Sequence, residues 1–150
     1  MDFVNFEGFP DSKIMDQILT LHEHIFNDPD TLVHKAQSKQ KILFTVCLQN
    51  DKVLGYKIGY ELDTDCFYSW LGGVEEKHRN IGIASRLMDR QHLYLKEKGY
   101  NTIQTKTKNR WRNMLLLNIK KGFDVIGTYT DSKGEPKIIL QKPLTDVLPI

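Results

Sequence analysis

The stretch HRNIGIASRLM, His78–Met88, lies where a strand-like pattern ends and a long helical pattern begins. The first backbone N–H groups of a helix lack partners inside it, and the helix dipole adds partial positive charge there. Gly82 and Ala84 leave that backbone open to an anion, and Arg79 supplies a fixed positive charge. The stretch is therefore interpreted either as an ordinary helix start or as a seat for a phosphate.

The phosphate interpretation relies on backbone N–H groups and not on a common nucleotide motif. Neither the GxxxxGK[ST] pattern of P-loop proteins nor the GxGxxG pattern of dinucleotide-binding folds is present. The candidate cradle is a run of consecutive residues: Arg79, Asn80, Ile81, Gly82, Ile83, Ala84 and Ser85.

Upstream of this stretch, three segments have the composition and spacing of β-strands. KILFTVCLQN and KVLGYKIGYEL flank Asn50–Asp51, which is typical of a hairpin turn. CFYSWLGGV is the third strand and carries two glycines near its end. In the second segment, alternation predicts that one set of apolar side chains shares a face: Leu54, Tyr56, Ile58, Tyr60 and Leu62.

Helical spacing predicts four helices in the chain. The first begins near Asp11, and a second, short helix begins at Asp28–Pro29. The long helix spans about Asn80 to Lys98 and ends before Gly99. The last lies in WRNMLLLNIKK.

These elements, with strands in FVNFEGF, NTIQTKT, FDVIGTY and KIILQK, give the order β-α-α-β-β-β-α-β-α-β-β. The middle strands are expected to be antiparallel, whereas the strand–helix–strand unit around the long helix requires a parallel crossover. The prediction is an α/β fold: a mixed, mostly antiparallel sheet with helices on both faces. No repeat or flexible linker divides the chain, so residues 1–150 are predicted to form a single domain.

Charge and composition argue against several classes of function. The chain of 150 residues carries 21 basic and 19 acidic residues, a net charge of +2, so we expect no general attraction to nucleic acid or to a membrane surface. The basic run KTKNRWR at 106–112 is either a solvated loop or an anion contact. No signal peptide, membrane span or metal-ligand spacing is recognised.

Cysteine usage indicates the compartment. Cys47 and Cys66 lie in separate strand-like runs and form no CxxC pair. Buried free thiols suit a reducing environment, so the predicted location is the cytoplasm.

Two segments resemble signatures of the GNAT superfamily of N-acetyltransferases. The family's [RQ]-x-x-G-x-[GA] pattern after a strand ending in valine is similar to Val74, EEKH and then Arg79 to Ala84. The family's M-L-x-x-N-x-x-x-G-F segment resembles MLLLNIKKGF, 114–123. The predicted order of elements is also similar to that of the family.

The resemblance implies that acetyl-CoA binds where the strand before the phosphate loop diverges from the strand after its helix. Its pyrophosphate is expected on the backbone of 79–85. Its pantetheine arm is expected to pair with the strand edge at Leu71, Gly72, Gly73 and Val74. Without the resemblance, the two glycines are equally consistent with a bulge or turn.

By the same resemblance, the reaction is direct attack of a primary amine, from a small molecule or a peptide, on the acetyl group. The alternative is a catalytically inactive CoA-binding module of the same fold. An ammonium must lose its proton before it attacks, so a general base is needed. Glu61 is the preferred candidate, since strand alternation sets it beside Gly55 and Gly59 and could open a cleft there. Glu75 and Glu76 are the other candidates, and each of the three could be a solvent-exposed carboxylate.

One departure from the family concerns the leaving thiolate. Many members have a tyrosine, as the proton donor, where this chain has Asn118. By resemblance Asn118 is a candidate catalytic residue that can donate a hydrogen bond to the CoA sulfur but cannot supply a proton. Either the thiolate leaves without help from this position, or another group such as Tyr94 or Tyr129 serves. Asn118 and Asn113 are expected to contact CoA, although Asn113 could instead cap the last helix.

The acceptor amine is not named by the sequence. Tyr68 and Trp70 either line its pocket or belong to the core. The family often dimerises, so a homodimer is a possible assembly.

Overall fold

The computed structural model describes residues 1–27 and 31–145, and within them seven strands form one mixed sheet. The strands are β1 (Asp2–Glu7), β2 (Leu43–Gln49), β3 (Lys52–Glu61), β4 (Cys66–Val74), β5 (Thr102–Lys108), β6 (Asp124–Thr130) and β7 (Pro136–Pro143). The helices are α1 (Ser12–Phe26), α2 (Thr31–Ala36), α3 (Ile83–Glu97) and α4 (Arg112–Lys120), and a single 3₁₀ turn spans Glu76–His78.

The sheet has the order β1-β2-β3-β4-β5-β7-β6. Every neighbouring pair is antiparallel except β4 and β5, which are parallel and joined through α3. The predicted order of elements and the predicted fold class are confirmed. The predicted start of the second helix, Asp28–Pro29, lies outside the described residues.

Helices α1 and α2 cover one face of the sheet. Asp11 caps α1, because its carboxylate accepts a hydrogen bond from the Ile14 N–H at 2.9 Å. The apolar stripe of α1 then packs on side chains of β2 and β3 that include Val46 and Tyr56. The fully buried residues of this core include Ile18, Leu32, Phe44 and Ile58.

Helix α3 covers the other face and approaches the sheet closely over two glycines of β3. A Cβ atom at Gly55 would lie 3.1 Å from Ile83 Cγ2 of α3, and one at Gly59 would lie 3.1 Å from Gln91 Nε2 of the same helix. Side chains at these positions would push the helix away. The glycines on the face of Glu61 therefore lie under α3 and line no open cleft.

A one-residue irregularity between β2 and β3 changes what strict alternation predicts. The register between β2 and β3 shifts at Cys47/Leu48, so Leu54 has no partner of its own on β2. Leu54 packs with Ile83 and Leu87 of α3, whereas Tyr56 packs on the α1 face. The prediction that Leu54 shares a face with Tyr56 is wrong, because the extra residue turns its side chain over.

Helix α3 also begins later than predicted. Asn80 and Gly82 both have left-handed backbone conformations, with φ of 65° and 89°, and regular helix starts at Ile83. At the other end Gly99, with φ of 92°, follows the helix as predicted.

The close approach of α3 gives a stability prediction. Gly59→Ala should lower the free energy of unfolding by about 1–3 kcal/mol, because the new methyl group would collide with the Phe67 ring and the Tyr68 carbonyl. Gly127→Ala is the matched control, since its methyl would have only one contact, at 3.9 Å, and should change stability by less than about 0.5 kcal/mol. Urea denaturation measures both. Equal effects would contradict this account of the packing.

Candidate functional site

Strands β4 and β5 diverge to form an open gap. Their parallel pairing covers only the positions from Cys66–Thr102 to Ser69–Thr105. The register between β3 and β4 shifts at the same level, which leaves Trp70 as an extra, bulged residue on β4. The Thr105 hydroxyl donates a hydrogen bond to the Ser69 carbonyl at 3.0 Å and closes the base of the gap.

The last part of β4 forms one wall of this gap. Residues 71–74 remain paired with β3 on their other side, with Leu71 opposite Ile58 and Val74 opposite Gly55. The bulge lies at Trp70 and not at the two glycines, which continue the regular pairing. A Cβ at Gly73 would lie 2.5 Å from Ile25 Cδ1, so this glycine also lets α1 approach the strand.

The phosphate-loop candidate lies directly after this wall. Arg79 Nε donates a hydrogen bond to the Val74 carbonyl at 3.1 Å and holds the loop against the end of β4. No side chain caps α3, and its first turn carries no acidic residue. Nothing lies within 4 Å of the Cβ position of Gly82. The helix N-terminus therefore presents uncapped N–H groups and open space, which suits a phosphate.

The three carboxylate candidates differ in their surroundings. Glu75 forms an ion pair with Lys52 at 3.3 Å, and the Nδ1 atom of His78 lies 3.5 Å from its carboxylate, beside the loop. Glu76 is exposed in the 3₁₀ turn. Glu61 accepts a hydrogen bond from the Tyr100 hydroxyl at 2.9 Å and lies 3.8 Å from the Lys41 ammonium.

The structure does not bring Glu61 to the phosphate loop. Glu61 pairs with Phe67 of β4. It lies three residues along β3 from Ile58, the partner of Leu71, and six residues from Gly55, the partner of Val74. At about 3.3 Å per residue, these separations are roughly 10 Å and 20 Å. Its neighbours Lys41 and Tyr100 line a cavity of about 520 Å³ at that end of the sheet, away from the gap.

The asparagine and tyrosine candidates for the thiolate side of the reaction do not all lie together. Asn118 is buried, with 3% of its surface exposed, whereas Asn113 is exposed. The N-cap of α4 is Trp111 and receives no side-chain cap, so Asn113 does not serve as the cap. Tyr94 donates its hydroxyl to Glu7, near the far end of α3, and Tyr129 lies on β6.

The basic run after β5 is partly neutralised. Glu135 pairs with Lys108 at 2.7 Å and with Arg110 at 3.2 Å. The hydrogen bond from Lys108 is the main reason that the pKa of Glu135 lies below its ordinary value. Lys106 forms no such pair with residues 1–27 or 31–145 and lies beside the rings of Tyr68 and Tyr129.

An aromatic patch lies beside the gap on the α1–α2 face. The rings of Tyr60, Tyr68 and Trp70 are in contact, with centroids 5.3 Å and 5.8 Å from Tyr60. The Lys39 ammonium lies 4.6 Å from the Tyr60 ring, and Lys106 lies 5.9 Å from that of Tyr68. Burial raises the pKa of Tyr68 to about 12, so its hydroxyl is neutral at physiological pH. The sequence did not indicate Tyr60 and Lys39 as site residues, because they come close to Trp70 only in the folded chain.

Residues 1–27 and 31–145 contain neither a metal-binding cluster nor a helix that could cross a membrane. No cluster of three or more His, Cys, Asp or Glu side chains there is arranged to hold a metal ion. No helix in the same part of the chain has the length and apolar character required to cross a bilayer.

Comparison with known protein families finds a match. The family model described as the acetyltransferase (GNAT) family matches residues 13–113, about two thirds of the chain. A sequence comparison with curated proteins finds no match.

Solved structures share the fold at low sequence identity. An aminoglycoside 6'-N-acetyltransferase complexed with coenzyme A has a TM-score of 0.83 and 13% identity, covering 99% of this chain and 100% of that one. The ribosomal-protein-S18-alanine N-acetyltransferase from Escherichia coli has a TM-score of 0.76 and 16% identity, covering 97% and 96%. A GNAT family acetyltransferase from Elizabethkingia anophelis with acetyl-CoA bound has a TM-score of 0.68 and 18% identity, covering 94% and 97%.

The position of Glu61 gives a prediction that separates a catalytic from a structural role. Glu61→Gln keeps the hydrogen bond from Tyr100 but removes the charge, so we expect any acetyl transfer to persist within a few-fold and stability to fall by about 1 kcal/mol. Steady-state rates and urea denaturation measure the two effects. A loss of turnover beyond about 100-fold with unchanged stability would instead support Glu61 as the general base.

Proposed function

Because the chain belongs to the acetyltransferase (GNAT) family, we propose that it transfers an acetyl group from acetyl-CoA to a primary amine of a small molecule or peptide by direct attack. The observation that carries the proposal is the gap between β4 and β5, which ends at the uncapped N-terminus of α3. Such a gap offers an extended strand edge and an anion seat in succession.

The proposed contacts of CoA follow the walls of the gap. Its diphosphate is assigned to the N–H groups of residues 79–85, with Arg79 turning from the Val74 carbonyl toward the added charge. Its pantetheine amides are assigned to the edge of β4, where an extended ligand can pair like a strand. The N–H groups near the bulge at Trp70 would polarise the thioester carbonyl. Asn113 and Asn118 of α4 are assigned to the opposite wall.

The proposed acceptor approaches from the α1–α2 face, beside the aromatic patch of Tyr60, Tyr68 and Trp70. Aromatic rings there can hold the body of an amine close to the bulge. The acceptors of the structural neighbours differ widely, from an aminoglycoside to a protein alanine. The fold alone does not determine which acceptor this chain uses, so we propose only that the acceptor is a primary amine.

A homodimer is also proposed. β6 is an edge strand, and its unpaired backbone is open to another strand. Exposed apolar side chains gather in the same part of the chain: Leu116, Ile119, Val125 and Ile126. A second copy of the chain pairing along β6 would cover them.

The proposed location is the cytoplasm. Cys47 and Cys66 are both buried and free, which suits a compartment that keeps thiols reduced.

The phosphate seat predicts opposite effects of one substitution on ligand affinity and on stability. Ser85→Asp adds a negative charge to the first turn of α3, where the helix dipole favours it by about 0.3–1 kcal/mol. The same charge would repel a diphosphate by roughly 1–4 kcal/mol, so CoA affinity should fall at least about 10-fold. Calorimetric titration with CoA and thermal unfolding measure the two quantities.

Ser85→Asn is the matched control, because it has nearly the same shape without the charge. It should bind CoA close to the wild-type affinity. If Ser85→Asp and Ser85→Asn bind CoA equally well, the diphosphate does not lie on this helix terminus.

The function itself is tested by release of CoA thiol from acetyl-CoA in the presence of a panel of primary amines. Binding with amine-dependent thiol release is the expected result, with the acetylated product identified by mass spectrometry. Binding without release from any amine would favour the inactive CoA-binding module, which the lack of an ionisable proton donor at Asn118 also favours. Absence of binding would contradict both.

A further inference from the structure

Lys57 is a lysine on the inner face of β3, beside the gap. It lies opposite Gly72 of β4 and between Gly55 and Gly59, the two glycines over which α3 packs. Its stem is therefore enclosed between the strand and the helix. The Lys57 Cγ lies 3.7 Å from the position of a Cβ at Gly72, so no side chain there separates the stem from the gap.

Two buried polar residues of the neighbouring elements α3 and β5 lack hydrogen-bond partners for their side chains. Both amide atoms of Gln91 and the Thr107 hydroxyl are buried without partners among the described residues, with 0% and 2% of the residue exposed. Gln91 is on α3, and Thr107 lies two residues beyond Thr105, the last residue of β5 that pairs with β4. Gln91 Nε2 lies 3.1 Å from the Cβ position of Gly59, two residues along β3 from Lys57.

The charged groups near Lys57 come from α3, α4 and β7. His92 of α3 is close enough that burial, together with the charges of Lys142, Lys57 and Lys121, lowers the His92 pKa. His92 contacts the Lys142 ammonium at 2.9 Å, and Asp89 pairs with Lys121 at 2.9 Å. No carboxylate of the described residues lies within 4 Å of the Lys57 ammonium. Burial lowers the pKa of Lys57 to about 8.

Acetyl transfer requires a proton at the sulfur. A departing thiolate has a conjugate acid with a pKa of about 8.5, so an acid of similar strength transfers a proton to it with little energetic cost. Asn118 can donate a hydrogen bond but has no ionisable proton. Lys57 lies on the α3 face of β3, opposite Gly72 and one residue from Ile58, the partner of Leu71 at the start of the gap.

We propose that Lys57 is the general acid of the transfer, donating its proton to the CoA sulfur as the thioester breaks. This inference rests on the proposed acetyl transfer. The acceptor nitrogen forms a bond to the acetyl carbon, and the carbon–sulfur electron pair goes to sulfur. Sulfur takes a proton from Lys57 Nζ, the acceptor nitrogen gives one to water, and Lys57 regains one from water. The products are an amide and CoA thiol.

The pH dependence follows from the state in which Lys57 acts. It must be protonated, so its contribution is complete well below pH 8 and is lost as the pH rises through about 8. In the wild type, kcat should therefore fall on the alkaline side. In Lys57→Met that alkaline fall should disappear, because no ionisable group remains at the position.

Three variants separate proton donation from charge and from packing. Lys57→Met keeps the stem and should lower kcat by about 10²–10⁴-fold, with CoA affinity changed less than a few-fold. Lys57→Arg keeps the charge but holds its proton, since its pKa exceeds about 12, and should be nearly as slow. Lys13→Met, at an exposed lysine of α1, is the control and should leave kcat unchanged. Wild-type rates in Lys57→Arg would overturn proton donation, and wild-type rates in Lys57→Met would overturn any catalytic role.

A second measurement does not depend on turnover or on the acceptor. Calorimetric titration of CoA thiol at pH 8 in two buffers with different ionisation enthalpies counts the protons released on binding. An ammonium beside the sulfur favours the thiolate, so the wild type should release protons and Lys57→Met should release fewer. Desulfo-CoA, which lacks the sulfur, should show no difference between the two proteins.

The two measurements distinguish failure of this inference from failure of the proposed function. Binding of CoA with Lys57-dependent proton release but without amine turnover would contradict acetyl transfer and retain Lys57 at the sulfur. Amine turnover with equal rates and equal proton release in wild type and Lys57→Met would retain the function and contradict the role of Lys57.

Discussion

The divergence of β4 from β5 is the constraint on which the rest of the site depends. Parallel pairing ends at Ser69 and Thr105, and the bulge at Trp70 lies where it ends. A bulge increases the local twist of a strand, so β4 turns away from β5 while staying paired with β3. A sheet interior normally has no free backbone edge. Here the divergence creates one, between two walls that the remainder of the sheet keeps rigid.

The packing of α3 places the helix N-terminus, with its partial positive charge, at the end of the β4 edge. Because Gly55 and Gly59 carry no side chains, the helix lies close to β3 and its N-terminus meets the end of β4. The same two glycines leave Lys57 as the one long side chain between them on that face. Close helix packing and an enclosed lysine therefore have a common origin in the GYKIG pattern of β3. A bulky residue at either glycine would disturb both.

The sequence predicted the features that depend on period and on local turn chemistry. Alternation in β2 and β3, the helical stripe of α1 and the glycine after α3 are all local signals, and they gave the correct order of elements. The errors arose where one extra residue changes a register. Leu54 lies on the opposite face from the one predicted, and the bulge at Trp70 was not predicted. In both places the apolar pattern of the sequence continues through the extra residue and gives no sign of it. The contacts of Glu61 with Lys41 and Tyr100 depend on distant pairing, which alternation does not reveal. Lys57 was within reach of the alternation rule, since it shares a face with both glycines.

The sheet separates the two halves of the proposed chemistry. The aromatic patch with Lys39 and Lys106 lies on the α1–α2 face, whereas Lys57, Gln91 and Thr107 lie toward α3 and α4. An amine entering from the first face and a sulfur leaving toward the second would be on opposite sides of the acetyl carbon. That arrangement keeps an acid of pKa about 8 away from the acceptor nitrogen, which it would otherwise protonate. A lysine can then act as an acid in a reaction whose nucleophile is itself an amine, because the strand backbone lies between them.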